Sequence, residues 1–466
     1  MKRTLALAAK PQNFKPSAVD EQHDHLTDVG AAETFAAAHG HEVRYDHRRG
    51  RWLIFRGHRW APDNDQQIVR LATAHVRDRQ RQAVDIVDLE RRGRMLRYLM
   101  ALERRAVLDN MLTLARAQES IADAGEDWDT DQWLLCCPNG VVDLRTGELR
   151  DGRPDDRITM CAGVEYHADA ECPRFRRFLR EVMSDDTARV EFLRLAAGYS
   201  LTGAVREQAF FWLTGAGQNG KTTLLETLTY VLGDYATATR FGTFVVGHQE
   251  PTGADLAALA GRRLVMASET QVRGRLDEER LKAVTGGDTL SARHLYQGPF
   301  TFRPVLKLWL STNHKPTVLD DSHAFWRRVR LIPFDRTFAG SAGDRTLGEA
   351  LRAEAPGILA WMVRGCLDWQ MHGLPMPDAV QRATDEYRED SDLFGRFIDE
   401  ACDLDVDGEC KAADLYATYK TWAEHQGFGD RERLTATMFG RKAAERFRRD
   451  KTRTGWVYLG VQSRRV

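Results

Sequence analysis

The segment that decides the fold reads GAGQNGKT and occupies residues 215–222. It follows the apolar run FFWL, residues 210–213, and precedes TLLETLTYVL, residues 223–232, whose apolar spacing is typical of a helix. This is the pattern G-x-x-x-x-G-K-[ST] between a strand and a helix. Backbone N–H groups of such a loop surround phosphate oxygens, and the helix N-terminus adds positive partial charge. A turn that binds nothing is the alternative, but the flanks and spacing favour a nucleoside triphosphate site.

The loop pattern predicts ATP and Mg²⁺ as cofactors. Lys221 is expected to reach the β- and γ-phosphates, and the Thr222 hydroxyl is expected to hold Mg²⁺. The other residues expected to line the nucleotide site are Gly215, Ala216, Gly217, Gln218, Asn219, Gly220 and Thr223.

Two later apolar runs end in polar side chains suited to the same chemistry. RRLVMASE, residues 262–269, ends in Glu269, a candidate to bind Mg²⁺ and to polarise the attacking water. VLKLWLSTN, residues 305–313, ends in Asn313, whose amide can position water against the γ-phosphate. The alternatives are an ordinary structural glutamate and an asparagine that caps the following turn.

Two adjacent arginines lie in the otherwise apolar run FWRRVRLIPF, residues 325–334. Arg327 and Arg328 are candidates for an arginine finger that reaches a neighbouring subunit's phosphates. A salt-bridged pair is the alternative.

Composition limits the classes of protein that this chain can be. No apolar run approaches the roughly 20 residues that span a bilayer, so a membrane protein is not expected. The short apolar patch at the N-terminus ends at Lys10 and Pro11, which predicts a loose tail over residues 1–26 rather than a secretory signal. The seven cysteines form no C-x-x-C pair, which favours a reducing compartment, the cytoplasm.

The net charge of −1 hides a basic C-terminal end. Residues 431–466 carry eleven basic and three acidic side chains, a net charge of +8. Such an end suggests an anionic polymer as partner, with a merely solvated surface as the alternative. The candidate contacts there are Arg441, Lys442, Arg448 and Arg449.

The order of periodic segments predicts an α/β protein with three domains. Residues 27–200 read as a mostly helical α+β domain that includes a hairpin and two short strands around PNG. Residues 201–375 alternate strands and helices around the loop, as expected for a parallel sheet. Residues 392–466 show two helices followed by a strand pair, a winged-helix rhythm.

Taken together, the motifs resemble those of superfamily 3 helicases. The ordered segments are GAGQNGKTTLL, LVMASET, LKAVTGGDTLSARHLYQGPFTFRP, LWLSTNHKP and FWRRVRLIPFDRTF. They look most like the phage and plasmid primase-helicase branch, which is related to the poxvirus primase-helicase. WLLCCPNGVVDLRTGEL and FLRLAAGYSLTG are similar to the domain that precedes the ATPase in that branch.

The resemblance implies an AAA+-like ATPase core that assembles into a ring, usually a hexamer, encircling DNA and moving 3′ to 5′. It places Lys221 and Thr222 on the Walker A pair, Glu269 on Walker B, Asn313 on sensor 1, and Arg328 with Arg327 on the finger. It also matches residues 282–302 to a motif whose hairpin projects into the channel. The DNA contacts implied there are Lys282, Arg293 and His294.

Two departures from the family pattern affect the expectations. Many superfamily 3 members carry two adjacent acids in Walker B, whereas Ser268 precedes Glu269 here. No polymerase-type primase motif precedes the resemblance, so we expect no primer synthesis by this chain and a primase, if any, on a separate polypeptide.

The leading hypothesis is a replicative DNA helicase of a phage or mobile element. The first alternative is a DNA-binding initiator or loader that uses ATP as an assembly switch with little unwinding. A third is a remnant ATPase that serves defence signalling or packaging, against which the channel hairpin motif argues.

Overall fold

A computed structural model describes residues 25–246, 253–268, 274–293, 298–338, 344, 346–453 and 455–464. Most of the expected N-terminal tail, residues 1–24, lies outside the described residues. The chain divides into two compact units, residues 1–56 with 60–127, and residues 57–59 with 128–466.

The first unit combines helices with a small sheet. Its elements are α1 (Asp28–His39), β1 (Val43–Asp46), β2 (Arg51–Phe55), β3 (Trp60–Pro62), α2 (Gln67–Ala83), α3 (Leu89–Leu102), α4 (Arg105–Ala115) and β4 (Ala122–Asp123). The sheet order is β3-β2-β1-β4, with β4 parallel to β1. The apolar spacing of the helices buries Phe35, Leu99 and Met111 in one core. The predicted hairpin and the helical stretch after it are confirmed.

The second unit begins with a small sheet and two helices. These elements are β5 (Leu134–Cys137), β6 (Gly140–Asp143), β7 (Glu148–Arg150), α5 (Pro173–Val182) and α6 (Thr187–Tyr199). Phe175 and Phe192, from α5 and α6, share one core with Phe211 and Leu213 of the next strand. The compact units therefore divide between residues 127 and 128, because α5 and α6 bury their apolar faces against residues of the sheet that follows. The predicted domain boundary at residue 200 stays a prediction.

The centre of the second unit is a parallel sheet. Its elements are β8 (Phe210–Thr214), α7 (Lys221–Leu232), β9 (Ala236–Arg240), α8 (Gly253–Ala257), β10 (Leu264–Ser268), α9 (Glu278–Gly286), β11 (Leu290–Arg293), β12 (Pro299–Phe302), β13 (Lys307–Thr312), α10 (His323–Trp326) and β14 (Val329–Pro333). The strand order is β14-β8-β13-β10-β9, all parallel, whereas β11 and β12 form a separate antiparallel hairpin. The predicted parallel sheet is confirmed.

Strand register brings the polar strand ends to one edge of this sheet. Thr214 at the end of β8 pairs with Thr312 of β13 and Pro333 of β14. Ser268 at the end of β10 pairs with Ser311 of β13. Ligands of open α/β sheets bind beyond the carboxyl ends of the strands, so this edge is where a site is expected.

The remaining elements are helical and then mixed. They are α11 (Leu347–Ala353), α12 (Ala355–His372), α13 (Asp378–Ser391), α14 (Leu393–Ala401), β15 (Cys402–Asp403), β16 (Glu409–Lys411), α15 (Ala412–His425), α16 (Ala436–Arg446), β17 (Arg449–Thr452), β18 (Gly455–Leu459) and β19 (Gln462–Ser463). Phe397, Tyr419 and Phe439 pack in a core of their own, next to the antiparallel sheet β16-β18-β17. The two helices and the strand pair are confirmed, and the winged-helix assignment stays a prediction. Within the described ranges, no helix combines the length and apolarity needed to cross a bilayer.

Candidate nucleotide site

The loop between β8 and α7 has a backbone shape that only glycine takes up without strain at its two ends. Gly215 has φ +140° and Gly220 has φ +89°. A Cβ at Gly215 would clash with the carbonyl oxygen of Phe334, and one at Gly220 would lie 2.7 Å from Val182 Cγ1. Both glycines of the motif are therefore required by conformation and by packing.

This loop offers backbone donors at its exposed surface. Among the described residues, no acceptor is found for the backbone N–H groups of residues 216–220. The first N–H groups of α7 also lack intrahelical partners, as at every helix start. Ala216, Gly217 and Gln218 are exposed, and a Cβ at Gly217 would meet nothing within 4 Å. Unpaired donors at a helix N-terminus form a site that fits an anion such as a phosphate.

Lys221 lies beneath this loop with its charge held by neutral oxygens. The side chain is 4% exposed, and its Nζ donates to Gly215 O at 2.6 Å and to Ala216 O at 3.3 Å. No carboxylate pairs with it in the part of the chain that the structure describes. Burial lowers the pKa of Lys221 to about 8. A buried cation without a counter-charge is stabilised by an anionic ligand, which fits a nucleotide phosphate.

Two asparagines complete the surroundings of the lysine. Asn219, 2% exposed, accepts from Lys221 Nζ at 3.0 Å and donates to Phe334 O at 3.2 Å. Exposed Asn313, directly after β13, accepts from Lys221 Nζ at 3.2 Å. The structure thus brings the predicted phosphate lysine and the predicted sensor asparagine into contact across two neighbouring strands.

Of the two expected Mg²⁺ ligands, Thr222 and Glu269, the structure describes only Thr222. Thr222 is exposed on the first turn of α7, beside Lys221, and Thr223 is half-buried. Glu269 lies outside the described residues, and Ser268 before it closes β10 at the same sheet edge as the loop. Among the described residues, no group of three or more His, Cys, Asp or Glu could hold a metal. Thr222 suits an Mg²⁺ that also binds nucleotide phosphates.

The two candidate finger arginines lie at the opposite end of the sheet. Register pairs Val329 with Phe210 and Pro333 with Thr214, so β14 runs roughly 13 Å from the arginines to the loop edge. Arg327 and Arg328 precede Val329, at the amino end of the strand. This position does not serve the nucleotide loop of the same chain.

The two arginines differ in exposure. Arg327 is exposed, whereas Arg328 is 8% exposed and donates to the Ala324 carbonyl. Burial, and then the neighbouring Arg327, lower the pKa of Arg328 below its usual value. Of the two, only Arg327 presents its guanidinium to solvent in this conformation.

Gln208 belongs to none of the sequence motifs, yet it contacts both arginines. Its Oε1 accepts from Arg327 Nη2 and, at 3.4 Å, from Arg328 Nη2. Its φ of +47° is unusual for a residue other than glycine. Gln208 therefore links the start of the loop-bearing strand to both arginines, and a glutamine before a strand carries no sequence signal for this.

The predicted channel hairpin forms, but its predicted DNA contacts are placed unequally. Arg293 is exposed at the end of β11, and His294 lies outside the described residues. Lys282 Nζ is paired with Asp320 at 2.8 Å. Lys282 forms an ion pair in this conformation, and its role as a DNA contact stays a prediction.

The DNA contacts predicted at the C-terminal end also differ in their exposure. Arg441, Arg448 and Arg449 are exposed. Lys442 is 9% exposed and pairs with Asp321 and, at 3.6 Å, with Asp392. Lys442 is therefore corrected to an internal ion-pair residue that attaches α16 to the rest of the unit.

Two protein families and one solved structure match this chain. Residues 32–184 match the family described as "D5 N terminal like", and residues 213–328 match a family of unknown function, DUF5906. The solved apo structure of the NrS-1 C-terminal region has the same fold, with a TM-score of 0.51 at 10% identity over 94% of this chain and 100% of that one.

Curated viral relatives match between 43% and 71% of this chain at low identity. "Putative helicase L207/L206" of Acanthamoeba polyphaga mimivirus is 31% identical over 320 residues, 63% of this chain and 33% of that protein. "Putative helicase 022R" of Frog virus 3 (isolate Goorha) is 26% identical over 416 residues, 71% of this chain and 42% of that protein. "Putative primase C962R" of African swine fever virus (isolate Warthog/Namibia/Wart80/1980) is 24% identical over 211 residues, 43% of this chain and 22% of that protein.

The chain therefore spans less than half the length of these relatives. Two of these relatives are named as helicases and one as a primase. The D5 N-terminal-like match and these distant relatives support the resemblance of this chain to the superfamily 3 primase-helicase family.

Proposed function

We propose that this chain is an ATP-dependent replicative DNA helicase of a phage or mobile element, acting in the cytoplasm of a bacterial host. The observation that carries the proposal is the buried Lys221 ammonium, held beneath a loop of free N–H donors and touched by Asn313 of the adjacent strand. The viral relatives named as helicases support the same conclusion.

The nucleotide loop would bind ATP through its own donors. The N–H groups of residues 216–220 would donate hydrogen bonds to phosphate oxygens. Lys221 would give up its hydrogen bonds to backbone carbonyls and bind the β- and γ-phosphates instead. Asn313 lies close enough to Lys221 to orient water at the terminal phosphate. Glu269, by its sequence position after β10, would remove the proton from that water. With Thr222 as protein ligand, Mg²⁺ would supply positive charge that offsets the developing charge on the phosphates.

The arginine position supports an assembly of several copies. Arg327 is exposed and lies at the end of the sheet away from its own loop. A second copy that placed its loop against this end would receive the guanidinium as a finger. A closed ring follows if each copy repeats the contact, and a homo-hexamer is the ring that we propose.

DNA would be held by two basic parts of the chain. The hairpin of β11 and β12, with Arg293 exposed, would contact one strand in the ring channel through its phosphates. The basic C-terminal domain, winged-helix-like in its order of elements, would hold further DNA. We propose that the chain moves 3′ to 5′ along the bound strand.

The pH dependence of ATP binding follows from Lys221. Its pKa is lowered to about 8 by burial, so the free protein holds an ammonium below that pH and a neutral amine above it. Because phosphates bind the ammonium, ATP affinity is expected to fall about tenfold per pH unit above pH 8. Equilibrium binding of a fluorescent ATP analogue from pH 7 to 9.5 measures this. Lys221→Arg, charged throughout, should flatten the profile, and a flat wild-type profile would contradict it.

The channel hairpin gives a test of the proposed function. Single-stranded DNA is expected to stimulate ATP hydrolysis by the wild type, and Arg293→Ala is expected to remove most of that stimulation while leaving the rate without DNA unchanged. Steady-state phosphate release with and without oligo(dT) measures both rates. Arg105→Ala, an exposed arginine of α4, is the control. Stimulation that is equal in Arg293→Ala and wild type would exclude the channel role.

A further inference from the structure

An exposed tryptophan stands on the hairpin of β17 and β18. Trp456 is 44% exposed, although an indole is normally covered in a folded domain. It pairs directly with Lys451 across the strands, and Arg449 pairs with Tyr458 on the same face. Arg449 Cζ lies 4.4 Å from the indole centroid and Lys451 Nζ lies 5.9 Å from it. The β17–β18 hairpin therefore carries an exposed indole with two cations close to its ring.

The cations of the basic end fall into two groups. One group forms ion pairs, in which Arg433 binds Glu424 at 2.8 Å, Arg446 binds Asp399 at 3.7 Å, and Arg464 binds Asp403 at 2.8 Å. Within the described ranges, the other group has no carboxylate at ion-pairing distance and is exposed. Its members are Arg441, Arg448, Arg449 and Lys451.

These unpaired cations lie on and beside the tryptophan hairpin. Arg448, Arg449 and Lys451 belong to the start of the hairpin, and Tyr458 OH donates to Gly440 O at 3.1 Å, which holds α16 against it. Arg441 follows Gly440 and so adds its charge beside the hairpin. Positive charge without counter-charge therefore surrounds the exposed indole.

The combination selects one class of ligand. Cations alone bind the phosphates of single-stranded and duplex nucleic acid alike. An exposed indole adds a stacking surface, and only unpaired bases have a free face to stack on it, because duplex bases are covered by their neighbours. The hairpin thus fits a single strand.

We propose that Trp456, with Arg449 and Lys451 beside it and Arg441 on α16, forms a stacking site for an unpaired nucleic-acid base and its flanking phosphates. The inference deepens the proposed function and rests on it, since a helicase separates strands and needs a place for one of them. The base stacks on the part of the indole that Arg449 leaves exposed, and the cations bind the backbone on either side.

The test compares binding of a single strand with binding of a duplex. Fluorescein-labelled 20-mer oligo(dT) and a blunt 20-base-pair duplex are titrated with the full chain, without nucleotide, and followed by anisotropy. Trp456→Ala is expected to weaken binding of the single strand about 5- to 150-fold and to change duplex binding less than twofold. Trp456→Phe, which keeps a stacking ring, is expected to retain most of the affinity. Arg441→Ala is expected to weaken both ligands.

A matched control exists on α7. Tyr230 is 45% exposed and has Arg352 over its ring at 5.4 Å, so Tyr230→Ala removes an aromatic of equal exposure that also touches an arginine. It should bind both ligands as the wild type does. A Trp456→Ala protein that binds oligo(dT) normally, or that loses both ligands equally, would overturn the inference.

The failure of this inference and that of the proposed function can be told apart. ATP hydrolysis without DNA should be the same in Trp456→Ala and wild type, which also shows that the variant is folded. If hydrolysis is normal and Trp456→Ala binds the single strand normally, only the stacking site is excluded. If the wild type does not hydrolyse ATP but the Trp456→Ala protein still binds the single strand more weakly than the wild type does, the helicase proposal fails and the stacking site stands.

Discussion

Replacement of Lys221 by alanine is expected to lower the rate constant of ATP hydrolysis about 10²–10³-fold. The substitution removes the cation that lies beneath the loop, 2.6 Å from Gly215 O and 3.2 Å from Asn313 Oδ1. The γ-phosphate then loses charge stabilisation that water cannot replace in a buried site. Steady-state phosphate release at saturating ATP measures the loss.

Lys315→Ala is the matched control for this substitution. Lys315 is an exposed lysine two residues after Asn313, and it pairs with Asp390 at 3.7 Å. It should hydrolyse ATP at the wild-type rate. At pH 7, below its lowered pKa of about 8, Lys221 is charged and costly to bury, so Lys221→Ala should melt no lower than the wild type. Wild-type hydrolysis by a folded Lys221→Ala protein would exclude this loop as the ATPase site.

Replacement of Arg327 by alanine is expected to lower the rate constant of hydrolysis by about 10³–10⁵, the effect of losing an arginine finger. ATP affinity should change little, because Arg327 lies at the opposite end of the sheet from its own loop. Separate measurements of ATP affinity and turnover distinguish this loss from a binding defect. Arg328→Ala should instead lower the melting temperature, because its side chain is buried and bound to the Ala324 carbonyl.

A mixing experiment tests whether the finger acts between copies. Equal amounts of the Lys221→Ala and Arg327→Ala proteins are combined, neither active alone. Where a Lys221→Ala copy offers its intact Arg327 to an Arg327→Ala copy with an intact loop, one complete site forms, so hydrolysis should return in part. If no activity returns while mixed oligomers form, the finger does not act in trans.

Local patterns were predicted well because their physics is local. The glycine loop, its strand and its helix follow from spacing and from backbone angles that glycine alone adopts at Gly215 and Gly220. Helices α15 and α16 and the strand pair after them follow from apolar periodicity in the same way. The contact between Lys221 and Asn313 is consistent with the separate roles predicted for them, because the parallel strands β8 and β13 finish at one edge of the sheet.

Other features depend on contacts between distant parts of the chain. The pairing of Lys282 with Asp320 and of Lys442 with Asp321 joins residues far apart in the chain, so the sequence around these two predicted DNA contacts does not reveal it. The burial of Arg328 beside the exposed Arg327 depends on how α10 leads into β14. The exposure of Trp456 is also a property of the folded domain, so the local sequence does not predict it.

A strand-displacement assay tests directly whether this chain is a helicase. Forked DNA with either a 3′ or a 5′ single-stranded tail is incubated with ATP and the wild type, Lys221→Ala or Arg327→Ala. We expect the wild type alone to unwind the fork, and only the fork with the 3′ tail. ATP-dependent assembly on DNA without displacement of either fork would contradict it, and an ATP-switched initiator or loader would take the place of the helicase.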